Sequence, residues 1–531
     1  MKDNISKFIL REEKERFNFK DGQKSLNIRF NRIAFIFFVF FLISIIYFIH
    51  LSHLGSRNLK PKISKNSNLS NTIHRANIVD RNDDFLAKTV NSIDIGINPA
   101  EVIDKKKLLL NLKYIFPNKD YDSILLKLDK KKFFWFEKKI SDQNYEKIMM
   151  LGDKAIKSHE NLTRVYPQKN LFSHIIGQID NDNFGISGLE KSLDKDLKEN
   201  INSFKLTVDK DIQFLIREEL LKFNGVFNTI GSAAILMDIH NGEIISIISL
   251  PDFDPNKRAN IVDVNYINRA TKGVYELGSV FKTFTLAAAL NEGIINSDTK
   301  FEKLEKTIKC GKSTISEYDK KIPSNLTAEE ILIRSGNIGS VRIGQAIGIE
   351  KFKKFLNDLN LINKIQFDIE EVGKPISFNW GKCKLATTSY GHGITTTILQ
   401  LANAYSIIGN GGYQITPTLI KKNSYSKGER VLNKNVSDNL IPILRKIVTS
   451  REGTASLANV DGYEVAGKTG TAEKTSNGGY SRKKINTFAS IFPASNPKYS
   501  LVVMLDEPKT NSEYVYNYRD GSGIKYKGTP F

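Results

Sequence analysis

Ser279 and Lys282, in Ser279-Val280-Phe281-Lys282, have the types and spacing of a nucleophile and its base. Three residues apart on a helix, they share one face, and the amine can reach the hydroxyl. A serine hydroxyl is a poor nucleophile until a base sits beside it. Lysine can be that base when neutral, and burial near a positive helix N-terminus lowers its pKa. The pair alone says little: average usage gives about two Ser-x-x-Lys matches in a chain of this length, and an N-cap serine beside an exposed lysine also fits. Two later stretches add weight. Ser335-Gly336-Asn337 is a small polar interruption that can aim a hydroxyl and an amide into a cleft. Lys468-Thr469-Gly470-Thr471 offers a cation and two hydroxyls for a carboxylate, and its glycine lets a peptide approach and pair along a strand edge. Each is an ordinary turn when taken singly; in this order they point to serine acyl transfer.

The elements that must hold these residues are legible around them. Phe281 to Leu290, with three alanines, predicts a buried helix. Thr327-Ala328-Glu329-Glu330 is a capping box opening a short helix that runs into Ser335. Tyr463 to Lys468 alternates like a strand that continues through Thr471. Further upstream, Asp211 to Phe223 reads as a helix, and 232–238 and 242–247 read as two strands around a His240-Asn241-Gly242 turn. The economical fold is α+β, an antiparallel sheet flanked by helices.

Before residue 206 the pattern changes. Asn77 to Ala87 reads as strand, polar turn and strand, residues 100–160 have helical spacing with a Lys-rich face, and Arg164 to Glu190 mixes glycine turns with isolated charges. Residues 52–70 have linker composition. Ile33 to Leu51 is an apolar run without permanent charge, long enough to span a bilayer, and is read as an uncleaved signal anchor. Lys and Arg flank it on both sides, so charge sets its orientation weakly. The expected organisation is a tail (1–32), a transmembrane anchor (33–51), a linker (52–70), an elongated α+β pedestal (71–205) and a catalytic domain (206–531).

Lys and Arg number 78 against 58 Asp and Glu, a formal net charge of +20. No zinc-finger, RNP or basic-helix pattern accompanies that charge, so nucleic acid is not an expected partner; attraction to anionic lipid and wall polymers is. The seven histidines are scattered, and no metal-ligand spacing occurs. His392, in Tyr390-Gly391-His392-Gly393, is read as structural or positioning. Cys310 and Cys383 can pair in an oxidising compartment; free thiols are the favoured reading.

The chain resembles the class B penicillin-binding proteins, and among them the division-specific (FtsI-type) peptidoglycan transpeptidases. The resemblance runs from the anchor to about Lys509. It includes Ile78-Val79-Asp80-Arg81-Asn82, Arg164-Val165-Tyr166-Pro167, Gly185-Ile186-Ser187-Gly188-Leu189-Glu190, Asn268-Arg269-Ala270, Ser389-Tyr390-Gly391-His392-Gly393 and Asp506-Glu507-Pro508-Lys509. It implies a pedestal followed by a penicillin-binding/β-lactamase-like transpeptidase domain. It also implies that Ser279 attacks the penultimate D-Ala carbonyl of a stem peptide with Lys282 as base. Ser335 then relays a proton to the leaving amine, tuned by Lys468, while Asn337 holds the substrate amide and Lys282. Thr469, Gly470 and Thr471 bind substrate, and the backbone N–H groups of Ser279 and Thr471 form the oxyanion hole. Implied partners are stem peptides, β-lactams, the inner membrane and division-site membrane proteins including a glycosyltransferase, with no cofactor or metal. The implied location is the inner membrane, with the catalytic domain periplasmic. A D,D-carboxypeptidase or β-lactamase, and an inactive anchored scaffold, are the competing readings. Two departures stand out. Leu277 occupies a position where many relatives have proline, and the chain stops at Phe531, where relatives usually add a strand and helix. The expectation is either a domain short of that element or a truncated product.

Overall fold

Lys24–Ser56 forms one helix, within which Ala34–Ser52 is apolar and long enough to cross a membrane. This computed structural model describes residues 24–56, 74–257, 264–311, 313–376, 378–476, 479–517 and 525–527, in two units, Met1–Asn71 and Thr72–Phe531. The expected tail up to residue 23 and the linker beyond residue 56 lie outside the described residues.

The second unit begins with the pedestal. Strand Phe85–Ile97 pairs antiparallel with Ile156–Val165 over ten residues and also takes Ile78–Val79 and Phe134–Glu137 as neighbours. Residues 100–160, whose spacing reads as helical, are not helical throughout. They fold as helices Lys105–Ile115, Tyr121–Asp129 and Asp142–Met149, but with strand Phe134–Glu137 between them. Consecutive aromatic side chains suit a half-buried pleat better than a helix face, which accounts for the difference. Ile95, Leu112, Leu128 and Ile148 are fully buried in a separate small core there.

The Arg164–Glu190 block, which in sequence mixes glycine turns with isolated charges, is an ion-pair centre. The Glu190 carboxylate, fully buried, accepts from the guanidinium groups of Arg75 and of Arg164 (2.7 Å), and Arg75 also reaches Asp194 at 2.7 Å. Arg164 further donates to the Ala76 carbonyl at 2.8 Å, tying this block to the segment that leads into strand Ile78–Val79.

The following sheet has five antiparallel strands, in the order Ala466–Ser476, Gly479–Phe492, Tyr499–Asp506, Gly231–Asp238, Ile244–Leu250. Helix Ile398–Gly409 covers one face, where Ser406 Oγ meets Ser500 Oγ at 2.7 Å. Helix Lys210–Phe227 covers the other, where Leu220 packs with Ala234, Ile248 and Val503. Covered on both sides, the two strands from 231 to 250 carry almost no polar alternation. The segment after Asp506 folds back on the second helix: Asn511 Nδ2 donates to the Val226 carbonyl at 2.8 Å and the Tyr514 ring meets Phe227 edge-on at 5.1 Å.

One expectation is overturned. Cys310 and Cys383 are joined in a disulfide with Cα atoms 5.3 Å apart. Their separation of 73 residues hid the proximity, because the hairpin carrying Cys310 folds onto the helix carrying Cys383.

Removing one partner of a buried pair strands the others' charge. Glu190→Ala leaves the buried Arg164 guanidinium without a carboxylate partner and Arg75 with Asp194 alone, and is expected to destabilise by about 3–5 kcal/mol. Urea unfolding of the detergent-solubilised chain checks this; an unchanged midpoint contradicts it.

Candidate active site

Residues Gly278–Phe281 form a 3₁₀ turn that leads directly into helix Lys282–Asn291, in which every residue from Lys282 to Ala289 is buried. An all-round apolar helix of this kind belongs in a domain centre, so Lys282 is carried inward with it. The turn is gripped from two sides. The buried Tyr405 hydroxyl donates to the Val280 carbonyl at 3.3 Å and pairs with Thr283 Oγ1 at 2.9 Å. On the other side, the edge strand lies backbone to backbone against the turn. Gly278 has φ +63°, and a methyl group there would stand 2.3 Å from the Thr471 carbonyl oxygen; one on Gly470 would stand 2.2 Å from the Leu277 carbonyl oxygen. Both positions therefore require glycine, and Ser279 and Thr471 are brought to one place.

Helix Ala328–Ile333 opens on the Thr327 capping box, complete in both directions. It ends so that Ser335 falls in the left-handed region at φ +57°, an unfavourable conformation for serine. Helix Asn337–Ile347 follows at once. Lys282 Nζ donates to the Ser335 carbonyl, to Ser335 Oγ at 3.2 Å and to Asn337 Oδ1 at 2.6 Å. Lys468 Nζ donates to the same Ser335 Oγ at 2.9 Å and to the Thr469 carbonyl at 3.0 Å. One hydroxyl thus sits between two lysines, each 1 % exposed or less.

The strand expected from Tyr463 begins at Ala466; residues 463–465 lead into it, where Val465 accepts from Arg445 at 2.9 Å. Along it Lys468 and Gly470 are buried, Thr469 is half-buried and Thr471 is exposed. Thr469 Oγ1 is bonded to Thr454 Oγ1 at 2.9 Å. This strand stands first in the sheet, and among the described residues no other strand pairs with its outer edge.

Burial governs the electrostatics. Desolvation pushes Lys282 down to about 7, opposed by the negative charge of Glu317. Desolvation and then the charge of Lys282 push Lys468 well below the ordinary lysine value. His392 stacks on Tyr390 with ring centroids 5.7 Å apart, and its Nδ1 lies 3.8 Å from Glu276; desolvation lowers its pKa and Glu276 opposes this.

The structure joins Lys282, Ser335, Asn337 and Lys468 in one hydrogen-bonded cluster and sets the backbone at Gly278 and Ser279 against that at Gly470 and Thr471. Sequence reasoning missed Glu317, whose carboxylate accepts from the Asn337 and Ile338 amides at 2.7 and 2.9 Å. Its one sequence signal is an acidic residue ending an apolar-polar alternation.

Comparison with known proteins follows the same outline. The penicillin binding protein transpeptidase domain matches residues 232–521, and the penicillin-binding protein dimerisation domain matches 71–220. The probable peptidoglycan D,D-transpeptidase FtsI of Caulobacter vibrioides is 30% identical over 458 residues, covering 82% of this chain and 77% of that protein. Stage V sporulation protein D of Bacillus subtilis is 30% identical over 503 residues, covering 85% and 77%. The peptidoglycan D,D-transpeptidase FtsI of Buchnera aphidicola is 29% identical over 492 residues, covering 84% of each. In fold, the chain is similar to penicillin binding protein 3 of Mycobacterium tuberculosis in complex with aztreonam, with TM-score 0.63, 23% identity, and 82% and 90% of the two chains covered.

A base is active only after losing its proton. Acylation of Ser279 by an activated ester is therefore expected to rise with pH through about 7 and then level off. A rate that is flat between roughly pH 5 and 9 contradicts this assignment.

Proposed function

Since this chain belongs to the penicillin-binding protein transpeptidase family, we infer that it cross-links peptidoglycan during septal wall synthesis, with Ser279 as nucleophile. The observation that carries the reading is the Ser335 hydroxyl accepting from Lys282 Nζ and Lys468 Nζ together. With both lone pairs occupied, its own proton is left to point into the cleft.

The steps follow from that arrangement. Neutral Lys282 takes the Ser279 proton as Oγ bonds to the carbonyl carbon of the penultimate D-Ala. The carbonyl oxygen becomes an oxyanion between the backbone N–H groups of Ser279 and Thr471, and such a donor is worth about 3 kcal/mol or more. The donor peptide lies along the outer edge of Ala466–Ser476 as an added strand. Its terminal carboxylate meets Thr469, Thr471 and the positive field of Lys468. When the C–N bond breaks, the leaving nitrogen takes the Ser335 proton, and Ser335 is resupplied from the lysines. Free D-Ala departs and an ester remains on Ser279. An amine from a neighbouring stem peptide attacks the ester, gives its proton back through the same groups, and restores Ser279 as the new peptide bond forms. Asn337 orients the donor amide and holds Lys282.

A β-lactam presents a strained amide to the same serine and leaves a stable ester. The Ala34–Ser52 helix anchors the chain in the cytoplasmic membrane, with the cleft on the periplasmic side, where its substrate lies. Glycan polymerisation is supplied by a partner glycosyltransferase at the division site.

Fluorescent penicillin is expected to label the unaltered chain and leave Ser279→Ala blank, with Lys282→Ala acylating at least about a hundredfold more slowly. Supplied with stem peptide and an amine acceptor, the enzyme forms an acceptor-dependent cross-linked product. Label on Ser279→Ala, or hydrolysis with no cross-link, contradicts the reading.

A further inference from the structure

Asn337 can serve the site only if its amide is held the right way round and its helix starts in the right place. Both conditions are met from outside the three motifs, by a hairpin of strands Thr307–Cys310 and Ser313–Ser316. Helix Asn337–Ile347 has Gly336 as its N-cap and so no side chain of its own to satisfy its first amides. The Glu317 carboxylate does this with both oxygens, Oε2 to Asn337 N–H at 2.7 Å and Oε1 to Ile338 N–H at 2.9 Å. Next to it, the Ser316 carbonyl accepts from Asn337 Nδ2 at 2.8 Å. That bond fixes the amide so that Oδ1 is the atom turned to Lys282 Nζ, at 2.6 Å. Tyr318 completes the clasp, its hydroxyl donating to the Arg334 carbonyl at 2.8 Å. Three consecutive residues thus hold the loop on both sides of Ser335, whose left-handed backbone needs such outside restraint.

We propose that Glu317 is a positioning residue for acyl transfer, fixing Asn337 and through it Lys282, with its negative charge held against the first amides of the Asn337 helix. The proposal rests on the reading of Ser279 as nucleophile and Lys282 as base. The hairpin is well suited to the task. The Cys310–Cys383 disulfide ties it to helix Lys382–Thr388, and that helix runs into Gly391, where a methyl group would stand 1.9 Å from the Gly278 carbonyl oxygen. The groups facing Lys282 are Ser335 and Asn337 from the loop, Lys468 from the edge strand and Glu317 from the hairpin. Glu317 opposes the fall in the Lys282 pKa, so removing its charge makes Lys282 easier to deprotonate.

The test compares unaltered enzyme, Glu317→Gln, Glu317→Asp, Glu317→Ala and Lys282→Ala as full chains in detergent. Fluorescent-penicillin acylation rates are read across pH, and thermal midpoints are measured alongside. Glu317→Gln keeps one acceptor for the helix and loses the charge. It is expected to acylate about tenfold more slowly at its plateau, equivalent to about 1.4 kcal/mol, with the acid limb of the profile moved to lower pH. Glu317→Asp restores the charge and returns the limb towards that of the unaltered enzyme. Glu317→Ala loses both functions and falls furthest. Slower acylation with the limb unmoved in both Glu317→Gln and Glu317→Ala reduces Glu317 to scaffolding and overturns the proposal, as does an unaltered rate in Glu317→Gln. If Lys282→Ala keeps the acid limb of the unaltered enzyme, it is the base assignment that fails.

Discussion

Two lysine side chains are almost completely withdrawn from water around a single serine hydroxyl, and the rest of the catalytic domain is arranged to make that possible. Isolated buried ammonium groups cost several kcal/mol each. Here the cost is met by hydrogen bonds rather than by a tight counter-ion: Lys282 spends its donors on Ser335 and Asn337, and Lys468 on Ser335 and Thr469. The residual penalty is chemically useful, because it drives Lys282 towards the neutral form that a base requires.

Such a site cannot be assembled from one segment. Ser279 and Lys282 come from the turn and helix at the domain centre, Ser335 and Asn337 from a helix junction, and Lys468 from the sheet edge. Bringing them within hydrogen-bond reach demands backbone contacts closer than side chains permit, hence glycine at 278 and 470. It also demands a strained backbone at Ser335, paid for by the capped helices on either side and the hairpin in front.

Much of this was legible in the sequence, for physical reasons that differ between elements. The three motifs combine local chemistry with local structure, so reading them needs only short windows. The capping box at Thr327 and the alanine-rich helix are equally local. What escaped was long-range. Glu317 acts across 20 residues through backbone amides, and Cys310 meets Cys383 across 73. The Glu190 centre joins Arg75, Arg164 and Asp194 across 26 to 119 residues, and only the topology shows which charges pair.

The most direct measurement is the protonation state of Lys282 itself. Nitrogen-15 NMR of lysine Nζ, assigned with Lys282→Met, follows the signal through a pH titration of the unliganded enzyme. A transition near pH 7 is the result expected of a desolvated amine held by Ser335 and Asn337. A transition near the ordinary lysine value of 10.5 would mean that burial does not prepare the base, and would contradict the account.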